Sequence, residues 1–271
     1  MSMDTTVFVT LCDQQYMTKA QRTIKDLRGR GQWKGDIVWL TVGFDADAEF
    51  LDQYCVLGRR IEHINTDGLV SQLKAHPIKP MADNRHFGKL TQWDKLQVFT
   101  EYFKQWNRVV FLDAGLRVLD SVQPLLELDY KGKLLAPDDS DPYDNGNRLK
   151  CQLDRDANIQ ATVALIVEFP ELDLESHYFL NCIFVFDTAL IIEGLYAEFE
   201  RLMNTLPIML CNEMSLMNLM FITRQKVWQP FPQRVGEKYL FGWCELNYRE
   251  RPNWSSFHFL KYPVSIRLEQ D

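Results

Sequence analysis

Short apolar runs alternate with helical spacings along the first half of the chain. Thr6 to Leu11 is apolar except for two threonines, the pattern of a strand buried on both faces. Behind it Ala20, Ile24 and Leu27 recur on one helix face, with Asp13 or Thr18 as a candidate N-cap and Gly29 near the end. Asp36 to Val42 predicts a second strand, Ala46 to Tyr54 a short helix and Arg60 to Ile64 a third strand. Lys74 to Gly88 is polar, contains Pro77 and Pro80 and lacks a period, which predicts a loop. From Thr91 to Trp106 the positions of Trp93, Leu96, Val98, Phe99 and Phe103 predict an amphipathic α-helix that leads into a buried strand, Val109 to Leu112. Val122 to Leu128 predicts a short helix with Pro124 in its first turn, and Leu134 to Ala136 a short strand.

The second half is less regular. Tyr178 to Asp187 predicts a strand, and Ala189 to Asn204 and Asn212 to Ile222 predict helices. From Pro230 onward prolines, aromatics and charges mix without period. No repeat or linker interrupts the chain, so a single α/β domain spanning residues 1–271 is expected, with a mostly parallel sheet flanked by helices.

Composition narrows the function. The 271 residues are 46% hydrophobic and 25% charged, as in ordinary globular proteins. A formal net charge of -7 weighs against a nucleic-acid partner, which needs phosphate neutralisation over a wide surface, but is compatible with a small phosphorylated ligand. Apolar segments such as Val163 to Val167 and Cys182 to Phe186 are too short to span a bilayer, and Asp4 with no basic-then-apolar leader predicts no secretory signal. The six cysteines are scattered, with no Cys-x-x-Cys pair. A zinc site is therefore not expected, and a reducing, cytoplasmic compartment is.

Candidate chemistry centres on Asp113-Ala114-Gly115, immediately after the buried strand. A carboxylate there either caps a turn or faces the ligand edge of an open α/β sheet. Lys95, one helix earlier, is either a solvated charge or a cation that neutralises phosphate. Asn181 stands just before the apolar run Cys182 to Phe186 and either bonds its own backbone or approaches a ligand. Asn212-Glu213 suits a helix N-terminus on capping grounds alone. His258 stands between Phe257 and Phe259, as a packed side chain or as a ligand for an intermediate metal.

The order of these motifs, over roughly residues 5 to 265, resembles the GT-A fold glycosyltransferases and is most similar to the glycogenin and lipopolysaccharide-galactosyltransferase group. The resemblance implies a GT-A type, Rossmann-like mixed sheet, with residues 1–135 as the nucleotide-binding half and 136–271 as the acceptor side. It implies a UDP- or GDP-linked sugar donor and a glycan or other acceptor. It further implies that Thr10 to Tyr16 contact base and ribose, that Lys95 reaches the nucleotide, and that Asn181 and Glu213 face the sugar. Asp113, His258 and a divalent ion, manganese or magnesium, would hold the diphosphate, and Lys261 would contact it.

Family members carry Asp-x-Asp where this chain has Asp113-Ala114-Gly115, so the second acid is replaced by Gly115. Three outcomes are open: a weaker metal site, assistance by protein cations, or no catalysis. Asp138, Asp139, Asp141 and Asp144 either supply replacement ligands or form a solvated turn. Trp228, Phe231, Tyr239, Phe241, Trp243, Tyr248 and Trp254 either line an acceptor groove or pack. A catalytically silent binding or scaffold protein is the alternative reading. A nucleotidyltransferase ranks last, because no Gly-rich loop with Lys or Arg follows the first strand.

Overall fold

A computed structural model describes residues 5–140, 146–243 and 254–261. The chain opens with β1 (Thr6–Cys12), α1 (Met17–Arg28), β2 (Asp36–Val42), α2 (Ala48–Tyr54), β3 (Leu57–Ile61) and α3 (Asp67–Ala75). A one-turn helix, α4 (Arg85–Gly88), precedes two 3₁₀ segments, Leu90–Phe99 and Glu101–Gln105. Then come β4 (Arg108–Leu112), β5 (Arg117–Val118), α5 (Gln123–Leu126), β6 (Leu134–Ala136) and α6 (Ile159–Glu168). The remainder is β7 (Ile183–Asp187), α7 (Leu195–Thr205), α8 (Glu213–Asn218), β8 (Trp228–Pro230), β9 (Arg234–Val235), β10 (Lys238–Trp243) and β11 (Phe257–Lys261).

Seven strands form the main sheet in the order β3-β2-β1-β4-β7-β6-β8. β7 runs against both of its neighbours, and the other pairings are parallel. Both faces are covered. Val7, Val109, Phe111, Phe184 and Phe186 face one core, while Phe8, Val110, Leu112, Ile183 and Val185 face the other. This period-2 alternation with no polar face is what makes these strands read as continuous apolar runs. A smaller sheet, β5-β11-β10-β9, abuts the end of β4.

Several expectations shift. The segment from Thr91 to Trp106 is not an α-helix but two 3₁₀ stretches broken at extended Thr100. Trp93, Leu96 and Phe99 are three residues apart, matching the 3.0-residue turn, and all are buried. Asp94 ties this segment to the end of β3, accepting from Ile64 N at 2.8 Å and meeting His63 Nδ1 at 2.6 Å. The predicted loop from Lys74 overlaps the end of α3, itself unforeseen, and contains α4. The predicted third strand lies earlier, at Leu57–Ile61, and the strand from Tyr178 is regular only from Ile183. Helix α6 is not expected from the sequence, where Val163 to Val167 reads only as an apolar run too short to span a membrane. Among the described residues no helix is long and apolar enough to cross one.

Candidate active site

β1 and β4 are parallel neighbours, so their carboxyl ends, Asp13 and Asp113, emerge on the same edge of the sheet. β7 is antiparallel and starts there, which brings Asn181 and Cys182 to the same edge. Asp113 N donates to Cys182 O at 2.8 Å and fixes this junction. Gly115 follows in the left-handed region, with φ +89°. Its N–H donates to Thr23 Oγ1 at 3.0 Å, and that hydroxyl donates to Leu116 O at 2.9 Å, so α1 clamps the turn after β4.

Lys95 is the hub of the site. Its Nζ lies 2.9 Å from Asp113 Oδ1 and 3.1 Å from Glu213 Oε1, and donates to Asn181 O at 3.2 Å. Asn181 Nδ2 donates to the same Glu213 Oε1 at 3.0 Å. Burial alone disfavours the Lys95 ammonium, yet Asp113 and Glu213 outweigh it and hold its pKa above the usual lysine range. Burial likewise pushes Asp113 up, but Lys95 and Lys261 overcome it and keep this carboxyl below its ordinary value. For Glu213 burial wins over Lys95 and Asn181, and its pKa is raised. Glu213 is 2% exposed, and its Oε2 has no hydrogen-bond partner among the described residues. An unpaired buried carboxylate oxygen costs free energy and marks where a hydroxyl or amide donor fits.

The chain before Glu213 is strained to present it. Asn212 sits at φ 48° and ψ −130°, a conformation non-glycine residues rarely adopt. Its expected capping bond is absent. The side-chain amide instead donates to Arg85 O at 3.0 Å and Gln92 Oε1 at 2.9 Å, bracing α8 against α4 and the 3₁₀ segment. His86 Nε2 meets Leu210 O at 3.0 Å and reinforces the same junction.

Lys261, at the end of β11, reaches the site from the smaller sheet. Its Nζ is 3.4 Å from both Asp113 Oδ2 and Ala114 O. Tyr16, 37% exposed, lies beside the same edge with Lys19 Nζ 4.0 Å from its ring centroid. Thr10 is fully buried, and its hydroxyl has no partner among the described residues. The structure therefore brings Asp113, Lys95, Asn181, Glu213 and Lys261 together, with Gly115 in the turn that follows Asp113.

Among the described residues His258 pairs with none of them. Its Nδ1 faces Ser121 O at 3.2 Å and Asp120 Oδ2 at 3.8 Å. Asp138 and Asp139 hold their own loop, through His177, Ser140, Asn147 and Tyr178, while Asp141 and Asp144 lie outside the described residues. Among the named aromatics, Phe231 is buried and Trp243 is 47% exposed, and Tyr248 lies outside the described residues. Among the described residues no three His, Cys, Asp or Glu side chains gather as metal ligands. Both oxygens of Asp113 face ammonium groups, so the residues present do not fit a divalent cation.

Sequence reasoning missed Lys19 and Thr23. They stand four residues apart, beside the apolar stripe of α1, and that spacing was the available signal. The loop after β1, Asp13 to Tyr16, carries no cation, and Lys19 lies within the helix that follows.

The chain matches no protein-family model and no curated protein. Solved structures do resemble it. Galactosyltransferase LgtC, in complex with donor and acceptor sugar analogs, aligns over 94% of this chain and 86% of its own, with a TM-score of 0.56 and 11% identity. Core-mannan synthase A from Aspergillus fumigatus, in an Mn/GDP form, aligns over 85% and 73%, with a TM-score of 0.51 and 11% identity. Mouse xyloside xylosyltransferase 1 in its apo form aligns over 93% and 96%, with a TM-score of 0.50 and 9% identity. The chain has the fold of the GT-A glycosyltransferases, a mixed and mostly parallel sheet flanked by helices.

Proposed function

We propose that this protein is a glycosyltransferase that moves a sugar from a UDP- or GDP-linked donor to a glycan or other hydroxyl-bearing acceptor. The observation that carries the reading is Glu213. It is a buried acid with one unpartnered oxygen, held by Lys95 and Asn181 beside Asp113, at the edge where this fold takes its ligands. In the transfer, the acceptor oxygen bonds to the anomeric carbon as the bond from that carbon to the diphosphate oxygen breaks. The nucleoside diphosphate departs with the electron pair, and its freed oxygen takes the acceptor proton. Glu213 and Asn181 would face the sugar, with the free Oε2 accepting from a sugar or acceptor hydroxyl. Residues 1–135, with Thr10 to Tyr16 and Lys95, would hold the nucleotide, and residues 136–271 the acceptor. The free state of Cys12, Cys55, Cys151, Cys182 and Cys211 supports work in the reducing cytoplasm.

The glycine in place of the second acid favours one other reading, a catalytically silent binding protein. One experiment separates them: a panel of nucleotide sugars assayed for hydrolysis and for transfer to simple glycosides. Turnover of one donor is expected. Glu213→Gln keeps the shape and removes the charge, and should lower that turnover about 100-fold. Donor binding without turnover supports the silent protein, and absence of any nucleotide binding defeats both readings.

A further inference from the structure

We propose that the donor's diphosphate is neutralised by protein lysines, Lys19 and Lys261 backed by Lys95, and that the nucleotide binds without a divalent cation. The inference rests on the glycosyltransferase reading and concerns the same site. It starts at Gly115, where the second acid of Asp-x-Asp is expected. A Cβ built on Gly115 would lie 3.3 Å from Lys19 Cδ and 3.5 Å from Lys19 Cβ. The stem of Lys19 thus packs over the glycine, so an ammonium-bearing chain runs where an acidic side chain would begin. The positive φ of Gly115 and its bond from N–H to Thr23 hold the turn in that form.

The first acid is committed as well. Asp113 meets Lys95 through one oxygen and Lys261 through the other. A divalent ion using Asp113 would have to displace an ammonium and then sit beside the remaining ones, at a Coulomb cost that burial enlarges. Lys95 and Lys261 face Asp113 and Glu213, while Lys19 stands among the cations Lys261, Arg22 and Lys89 with Asp13 as its opposing acid. Burial first, then the charges of Lys261, Arg22 and Lys89, outweigh Asp13 and pull the Lys19 pKa below the usual lysine range. A diphosphate approaching this edge meets ammonium groups that form charge-assisted hydrogen bonds and offset the charge building on the leaving nucleotide.

The test is calorimetric titration of the full chain with UDP and with GDP, in EDTA and then in excess manganese. Binding in EDTA is expected, changed less than about twofold by manganese. Lys19→Ala and Lys261→Ala should each weaken it about tenfold, the loss of one hydrogen bond to a charged group. Asp113→Asn releases both lysines from their carboxylate and should retain or tighten binding in EDTA, whereas a metal ligand at this position would make the same change abolish binding. Binding that appears only with manganese overturns the proposal and leaves the glycosyltransferase reading standing. Binding of neither nucleotide in either condition overturns both.

Discussion

Two ion networks of similar composition sit on opposite terms with solvent. On the surface, Arg201 and Arg224 bridge Glu168 and Glu198 in a closed ring of two cations and two acids, with contacts of 2.6 to 3.0 Å. Every carboxylate oxygen in it is paired, and the charges cancel. At the sheet edge, Lys95 is shared between buried Glu213 and half-buried Asp113, Asp113 is shared between two lysines, and Glu213 keeps one oxygen unpaired. A network that satisfies itself holds α6, α7 and the Leu219–Arg224 turn together and offers nothing to a ligand. One that stays incomplete while desolvated stores binding energy for a partner, and that difference identifies the site.

The largest effect expected from breaking this contrast is at Lys95. Lys95→Met strips buried Glu213 of its counter-charge and leaves it facing Asp113, and should cost about 3–5 kcal/mol of stability along with donor turnover. Urea unfolding of the purified variant measures it. A loss below about 1 kcal/mol would mean that Lys95 is no more integral than a surface charge.

Gly115 sharpens the comparison at a smaller scale. Gly115→Ala places a Cβ at φ +89° against the Lys19 stem, while Gly194→Ala, at φ +76°, meets nothing within 4 Å. Backbone strain alone should cost about 1–2 kcal/mol at either position. The excess loss at Gly115, read as a difference in denaturant midpoint, reports the packing of Lys19. Equal losses would show that Lys19 does not fill that space.

Much of the scaffold was legible because it obeys local rules. β2 falls on Asp36–Val42 and β6 on Leu134–Ala136 as expected, since doubly buried strands leave unbroken apolar runs. The pairing of Asp113 with Lys95 was half legible, from one acid after a strand and one lysine before it. What escaped depends on distant contacts. The 3₁₀ form of Leu90–Phe99 shares apolar positions with an α-helix, and only its packing against β1, α7 and α8 chooses the tighter turn. His258 was drawn toward Asp113 by the family pattern, but Ser121 and Asp120 face its ring instead. Lys261, three residues on along β11, makes the contact with Asp113, and no local period announces which of the two points inward.

The smallest effect belongs to the surface ring, through pH. Hydrogen bonds from Arg201 pull Glu198 down to about 2 against the opposing effect of burial, with Arg224 adding to the pull, and Arg201 likewise pulls Glu168 down. A carboxylate whose folded pKa lies below its unfolded value stabilises the fold above the unfolded pKa, near 4.3, and loses that contribution as pH falls through the folded value. The ring should therefore contribute fully above about pH 5 and fade toward about pH 2, and screening holds its contribution to about 1 kcal/mol. Glu198→Gln removes the charge at every pH, so its stability deficit against the parent chain should shrink across that window. Added salt should shrink it as well, because exposed pairs are screened while the buried Lys95 cluster is not. A deficit of about 3 kcal/mol, insensitive to salt, would place the surface ring in the same class as the buried site. Closure and exposure would then no longer separate the structural network from the chemical one.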